Sequence, residues 1–272
     1  MLVTETGYFK SNGNQLSYAC SIPSGTHRKA GVMFVHAANG NRLGPHRMFV
    51  EFANSFNALG LPILRFDLSG CGDSSGSASQ TDVSADVFDT IEAIYFFISR
   101  AKLEKVFLFG ISRGARICYD AMAKQSLPLG GIILLSTPVS SNKAAVNSLR
   151  LRLTEYFYKL RDPVHLRKLL TGRANIRQIS KTLSTAAGLR NRYRQTEANT
   201  FATKCPVLLF YGGLDPNAKE SSRYYIDKYK RNNLPYNCHF IENANHSFFH
   251  YKWKEQIFDL TNQWLETTLN QV

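Results

Sequence analysis

Short apolar runs alternate along the chain with longer stretches in which apolar residues recur every three or four positions. The runs Gly31–His36, Pro62–Asp67, Val106–Gly110, Ile132–Ser136 and Pro206–Tyr211 are rich in branched and aromatic residues and almost free of charge. Strands covered on both faces have this character, and such strands belong to parallel sheets. Between them, Phe49, Phe52, Phe56 and Leu59 form one helical stripe closed by Gly60, and Val83, Val87, Ile91, Ile94 and Ile98 form a second. The alternation predicts right-handed βαβ crossovers in a mostly parallel, doubly wound α/β sheet.

Both ends depart from this rhythm. Residues 2–22 read as an antiparallel hairpin turning at Asn12-Gly13-Asn14, and the chain closes with an amphipathic helix bearing Trp253, Ile257, Leu260 and Trp264. Residues 141–200 contain no strand-like run and read as short helices, with Leu149, Leu153, Phe157 and Leu160 on one stripe. An excursion of this length between two core strands is expected to be a helical lid rather than a bare loop. The predicted organisation is therefore a core of residues 1–140 and 201–272 with residues 141–200 inserted as a lid.

Composition changes the picture in one respect. The 272 residues carry 33 Lys and Arg against 20 Asp and Glu, a net charge of +13, with 44% hydrophobic residues, which excludes a disordered chain. Residues 141–200 hold thirteen Lys and Arg against Glu155, Asp162 and Glu197, a net of +10, so the basicity is concentrated in the predicted lid. No apolar run reaches the roughly 18 residues of a membrane span, and the first residues lack the pattern of a signal peptide, so a cytoplasmic location is expected. Cys20, Cys71, Cys118, Cys205 and Cys238 are odd in number and scattered, unlike a disulfide framework or a zinc site. No metal or cofactor is expected.

The chemistry concentrates in three places. The strand at 106–109 runs into Gly110-Ile111-Ser112-Arg113-Gly114 and then a helical stretch, the strand–turn–helix context of a nucleophile elbow. A serine hydroxyl needs a base, and the base a carboxylate to orient it. Asp215 follows the 206–211 strand in Gly212-Gly213-Leu214-Asp215-Pro216. His246 follows the strand-like Asn237–Ile241 on the last loop before the terminal helix, so acid and base come in the order this architecture requires. His250 is the rival base, and Asp73 and Glu242 are rival acids. His27 and His165 read as solvated, and His239 as a strand residue. The oxyanion hole is expected from the backbone N–H of Arg113 and of Ala38, with Ala37 as the alternative. Gly70-Cys71-Gly72-Asp73-Ser74-Ser75-Gly76 misses the dinucleotide fingerprint because Ser75 stands where its third glycine belongs.

Taken together, the hairpin start, the His36-Ala37-Ala38 loop, Asp67-Leu68-Ser69-Gly70-Cys71-Gly72-Asp73-Ser74, the elbow, Asp215 and His246 resemble the α/β-hydrolase superfamily over essentially the whole chain. Within it, Arg42-Leu43-Gly44-Pro45-His46-Arg47 with Leu64-Arg65-Phe66-Asp67, and Arg167-Lys168-Leu169-Leu170-Thr171-Gly172-Arg173, resemble hydrolases encoded with bacterial exosortase and surface-polysaccharide systems. Two departures from the superfamily pattern, Ser69 in place of Arg and Ala37 in place of Gly, bear on the acyl pocket rather than on the triad.

The expectation is a serine hydrolase that cleaves an ester or thioester through an acyl-enzyme on Ser112. Acyl transfer from the same intermediate and a non-catalytic binding role are the alternatives. The basic lid fits an anionic or carrier-bound acyl substrate, including one on an acidic acyl-carrier protein. Contact with an anionic membrane through Tyr156-Phe157-Tyr158 is a lesser reading, and nucleic-acid binding is not expected because no binding motif accompanies the charge.

Overall fold

A computed structural model describes residues 2–25, 27–37, 40–77, 82–139 and 201–270. The predicted lid, residues 141–200, and Ala38 of the predicted oxyanion loop lie outside the described residues.

Strands β1 (Leu2–Ser11) and β2 (Asn14–Pro23) form the expected hairpin. Its two-residue loop, Asn12-Gly13, has both φ angles positive, at 46° and 80°, the backbone of a turn whose twist matches that of the flanking strands. There follow β3 (Ala30–Val35), α1 (Met48–Ala58), β4 (Ile63–Phe66), α2 (Val83–Ala101), β5 (Lys105–Ile111), α3 (Arg113–Lys124) and β6 (Leu129–Leu135). Beyond the undescribed segment come β7 (Val207–Gly212), α4 (Ala218–Arg231), β8 (Tyr236–Ile241) and α5 (Tyr251–Leu269).

The eight strands make one sheet in the order β1-β2-β4-β3-β5-β6-β7-β8. The β1–β2 and β2–β4 pairings are antiparallel and all others parallel. Every residue of β3, β5 after its first, β6 and β7 is buried, which explains why these strands read as unbroken apolar runs. On one face, Val87, Ile91, Ile94 and Phe97 of α2, Ile117 and Met122 of α3 and Tyr225 and Tyr229 of α4 cover the sheet. On the other, Phe49, Phe52 and Phe56 of α1 and Ile257 and Leu265 of α5 pack on Phe34, Phe109, Ile133 and Phe210.

Helix α2 starts where Asp82 accepts a hydrogen bond from the Ala85 N–H at 2.8 Å, a side-chain cap on an otherwise unsatisfied first turn. Helix α4 has no counterpart in the sequence reading: its buried face mixes Tyr225 and Tyr229 with Ser221, Ser222 and Lys228, which blurs the apolar period. Among the described residues no helix is long and apolar enough to cross a membrane.

Candidate active site

The parallel strands all point their carboxyl ends to one edge of the sheet, and the candidate residues stand in the loops along that edge. Ser112 separates β5 from α3 with φ 54° and ψ −123°, a conformation that L-residues rarely adopt. The flanking glycines make this turn possible. A methyl group at Gly114 would stand 2.1 Å from the Val35 carbonyl oxygen, and one at Gly110 would stand 2.6 Å from the Ala115 backbone. The elbow is thus pressed against the end of β3, and the Ser112 N–H is tied to the Leu135 carbonyl of β6 at 2.8 Å.

Asp215 follows β7 in a tight turn closed by its own N–H on the Gly212 carbonyl at 3.0 Å, and its Oδ1 accepts from the Asn217 N–H at 3.0 Å. The loop after β8 approaches so closely that a methyl group at Gly212 would lie 2.5 Å from the carbonyl oxygens of both Ala244 and Asn245. That approach delivers His246. Its Nδ1 is 2.7 Å from Asp215 Oδ2 and its Nε2 is 3.0 Å from Ser112 Oγ. The Asp215 side chain is 2% exposed and that of His246 21%, so the carboxylate is buried while the imidazole keeps partial access to solvent. A carboxylate bonded to Nδ1 favours the tautomer that leaves Nε2 unprotonated, able to accept the serine proton.

Arg113 opens α3, so its N–H lies at the positive end of the helix dipole beside Ser112. Its side chain turns away into the core and ion-pairs with Asp86 of α2. Burial pushes the Asp86 carboxyl up to about 6, outweighing the pull of the Arg113 charge. Next to it, Asp89 accepts from Ser11 Oγ at 2.6 Å and from the Ser69 N–H at 2.9 Å. Two acids on the inward face of α2 therefore brace the elbow and the loop after β4. Their sequence signal is a pair of carboxylates three residues apart within the apolar stripe of α2.

His36 is a further supporting residue, one to which the sequence reading gives no role of its own. Its Nδ1–H donates to the Ala37 carbonyl at 2.7 Å, and its Nε2 accepts from the Leu68 N–H at 3.0 Å. An amide N–H only donates and a carbonyl only accepts, so the neutral tautomer is set by the backbone, and burial lowers the pKa against the opposing pull of the Ala37 hydrogen bond. The ring thereby locks the start of the loop after β3 to the loop after β4.

The rival positions have other partners. His250 caps α5, accepting from the Lys252 N–H at 3.3 Å; Asp73 pairs with Arg42 at 2.7 Å; Glu242 is exposed. His27, expected to be solvated, is half-buried with Nε2 3.1 Å from the Ala101 carbonyl. The Gly70–Gly76 stretch wraps Asp67: the Asp73 N–H donates to Asp67 Oδ2 at 3.0 Å, Ser74 Oγ donates to the Asp67 carbonyl at 2.7 Å, and the Ser75 N–H reaches the Gln15 carbonyl at 2.9 Å. It joins the hairpin to the site edge. Among the described residues no group of His, Cys, Asp or Glu is placed to hold a metal ion.

This sheet, with its elbow and its loop order, defines an α/β-hydrolase-fold serine hydrolase. Residues 26–251 match the family model described as serine aminopeptidase, S33, and the chain belongs to that family. Similar solved structures include an esterase of Pyrococcus furiosus, at 16% identity over 98% of this chain and 91% of that one, with a TM-score of 0.74. Est1E of Butyrivibrio proteoclasticus, solved with ferulic acid bound, matches at 14% identity over 97% and 99% of the two chains with a TM-score of 0.65. The proline iminopeptidase of Mycobacterium smegmatis matches at 13% identity over 98% and 99% with a TM-score of 0.66. No protein of curated function matches the chain in sequence.

Proposed function

We propose that the protein cleaves a carboxylic ester or thioester through an acyl-enzyme on Ser112. His246 takes the hydroxyl proton as Oγ attacks the carbonyl carbon and returns it to the leaving group, and a water activated by the same imidazole then releases the acid. Asp215 holds the imidazole and stabilises its charged form. The developing oxyanion is received by the Arg113 N–H and a second N–H from the loop after β3, where Ala38 is the expected donor. The observation that carries this reading is the continuous Oγ–Nε2–Nδ1–Oδ2 relay of 3.0 and 2.7 Å on a serine held at positive φ. Esterases are among the similar solved structures, which is consistent with an ester as substrate. The +10 of residues 141–200 favours an anionic or carrier-bound acyl group, with that segment acting as a basic lid.

Fluorophosphonate labelling, followed by turnover of a panel of aryl esters and acyl thioesters, tests the assignment. Wild-type protein labels and turns over, and Ser112→Ala does neither; a Ser112→Ala protein that still turns over at the wild-type rate overturns it.

A further inference from the structure

Outside the triad, the same edge of the sheet carries a second group of charged side chains. Arg65 lies on β4, Arg42 in the loop after β3, and Arg47 immediately before α1. Arg42 is neutralised from both sides, ion-pairing with Asp67 and with Asp73. Arg65 and Arg47 have no such partner: among the described residues neither pairs with an acid. Among the described residues the Arg65 side chain makes one hydrogen bond, from Nη1 to the Arg42 carbonyl at 3.3 Å, and its Nε is buried without an acceptor. Burial, reinforced by the Arg42 and Arg47 charges, lowers its pKa. A partly buried guanidinium beside two others, with no acid of its own, is a costly arrangement of charge that an incoming anion relieves.

The position of this group relates it to the triad. The loop bearing Arg42 and Arg47 begins at His36, which locks the oxyanion side, and the His46 ring packs 6.0 Å from that of Phe249, three residues beyond His246. Gly44, His46 and Arg47 all have positive φ, at 71°, 50° and 60°. This unusual backbone holds Arg47 at the start of α1 and exposed to solvent.

We infer that Arg65 and Arg47 form a subsite for an anionic oxygen group, a carboxylate or a phosphate, carried by the substrate away from its scissile carbonyl. The inference rests on the reading of Ser112 as the nucleophile and specifies the substrate class for that site without relying on the undescribed basic segment.

Two measurements test it. In the first, kcat/KM is compared for the 4-nitrophenyl hemiester of glutaric acid and for 4-nitrophenyl valerate, and for 4-acetoxybenzoate and phenyl acetate. These pairs place a carboxylate on the acyl or the alcohol side. The charged member of one pair is expected to be favoured by about tenfold or more, with the preference falling at least tenfold in Arg65→Gln, partly restored in Arg65→Lys, and retained in Arg231→Gln, a charge loss at the far end of α4. No preference in either pair, or a preference unmoved by Arg65→Gln, overturns the subsite.

In the second, free glutarate and inorganic phosphate are titrated by calorimetry into Ser112→Ala and into Ser112→Ala/Arg65→Gln. Binding of either anion to the first protein and its loss in the second is expected, and the anion that binds identifies the group. Equal behaviour of the two proteins overturns the subsite. Because this arm needs no turnover, it gives its result even if Ser112 proves not to be the nucleophile.

Discussion

The strain at Ser112 should be measurable as stability that is lost to hold the hydroxyl in place. At φ 54° and ψ −123° a residue with a Cβ is held outside its favoured regions, at a cost of about 1–3 kcal/mol. Ser112→Ala and Ser112→Gly both lose the hydrogen bond to His246 Nε2, so that contribution cancels between them. Only glycine removes the Cβ and with it the strain. Against this stands the greater freedom of glycine in the unfolded chain, about 0.5–1 kcal/mol. The glycine variant is therefore expected to be more stable than the alanine variant by roughly 0.5–2 kcal/mol, a rise of a few degrees in Tm for a chain of this size. Urea unfolding and calorimetry of the two variants read the difference directly. A Ser112→Gly protein no more stable than Ser112→Ala would refute the claim that the elbow stores strain.

Asp215→Asn should lower kcat about 10⁴-fold by disfavouring the productive imidazole tautomer, with Tm showing that the fold survives. Gly212→Ala should lower kcat by about 10²-fold, because a methyl 2.5 Å from the Ala244 and Asn245 carbonyl oxygens must push back the loop that carries His246; steady-state kinetics on a good ester substrate check this. Asp86 bears on pH dependence: its carboxyl titrates near 6 in the folded protein against 3.8 for the free group, so the folded state binds the extra proton between these values. Wild type should gain stability relative to Asp86→Asn as pH falls from 7 to 4, read as the pH dependence of the difference in their urea midpoints. Removing one side of the buried Arg113–Asp86 pair should cost about 3–5 kcal/mol at neutral pH, whereas Asp86→Leu with Arg113→Met should be far milder, a contrast that a double-mutant cycle resolves.

Much of this molecule was legible from residue order. A strand covered on both faces has no choice but to be apolar throughout, so β3, β5, β6 and β7 announce themselves, and the Asn12-Gly13 turn announces the hairpin. Ser112, Asp215 and His246 became candidates for a related reason: each lies in the turn or loop that follows a strand, where local motif and strand order coincide. Helix α4 was not, because its buried face carries serines and a lysine as well as tyrosines, and such a face has no clean hydrophobic period. The roles of His36, Asp86 and Asp89 were hidden too, since the partners that tie them to other loops, the Leu68 and Ser69 N–H groups and the Arg113 side chain, lie 20 or more residues away in the chain.

The order of the chain thus determines the strands, the crossovers and which side chains are candidates for nucleophile, acid and base, because those depend on local pattern and on the handedness of connections. Only the tertiary structure decides the distances that make three such residues a relay, through the close approach of the β8 loop to Gly212 and of β3 to Gly114. It alone separates Arg42, neutralised by Asp67 and Asp73, from Arg65, left with an unused donor, because whether a charge is satisfied depends on what the fold brings beside it.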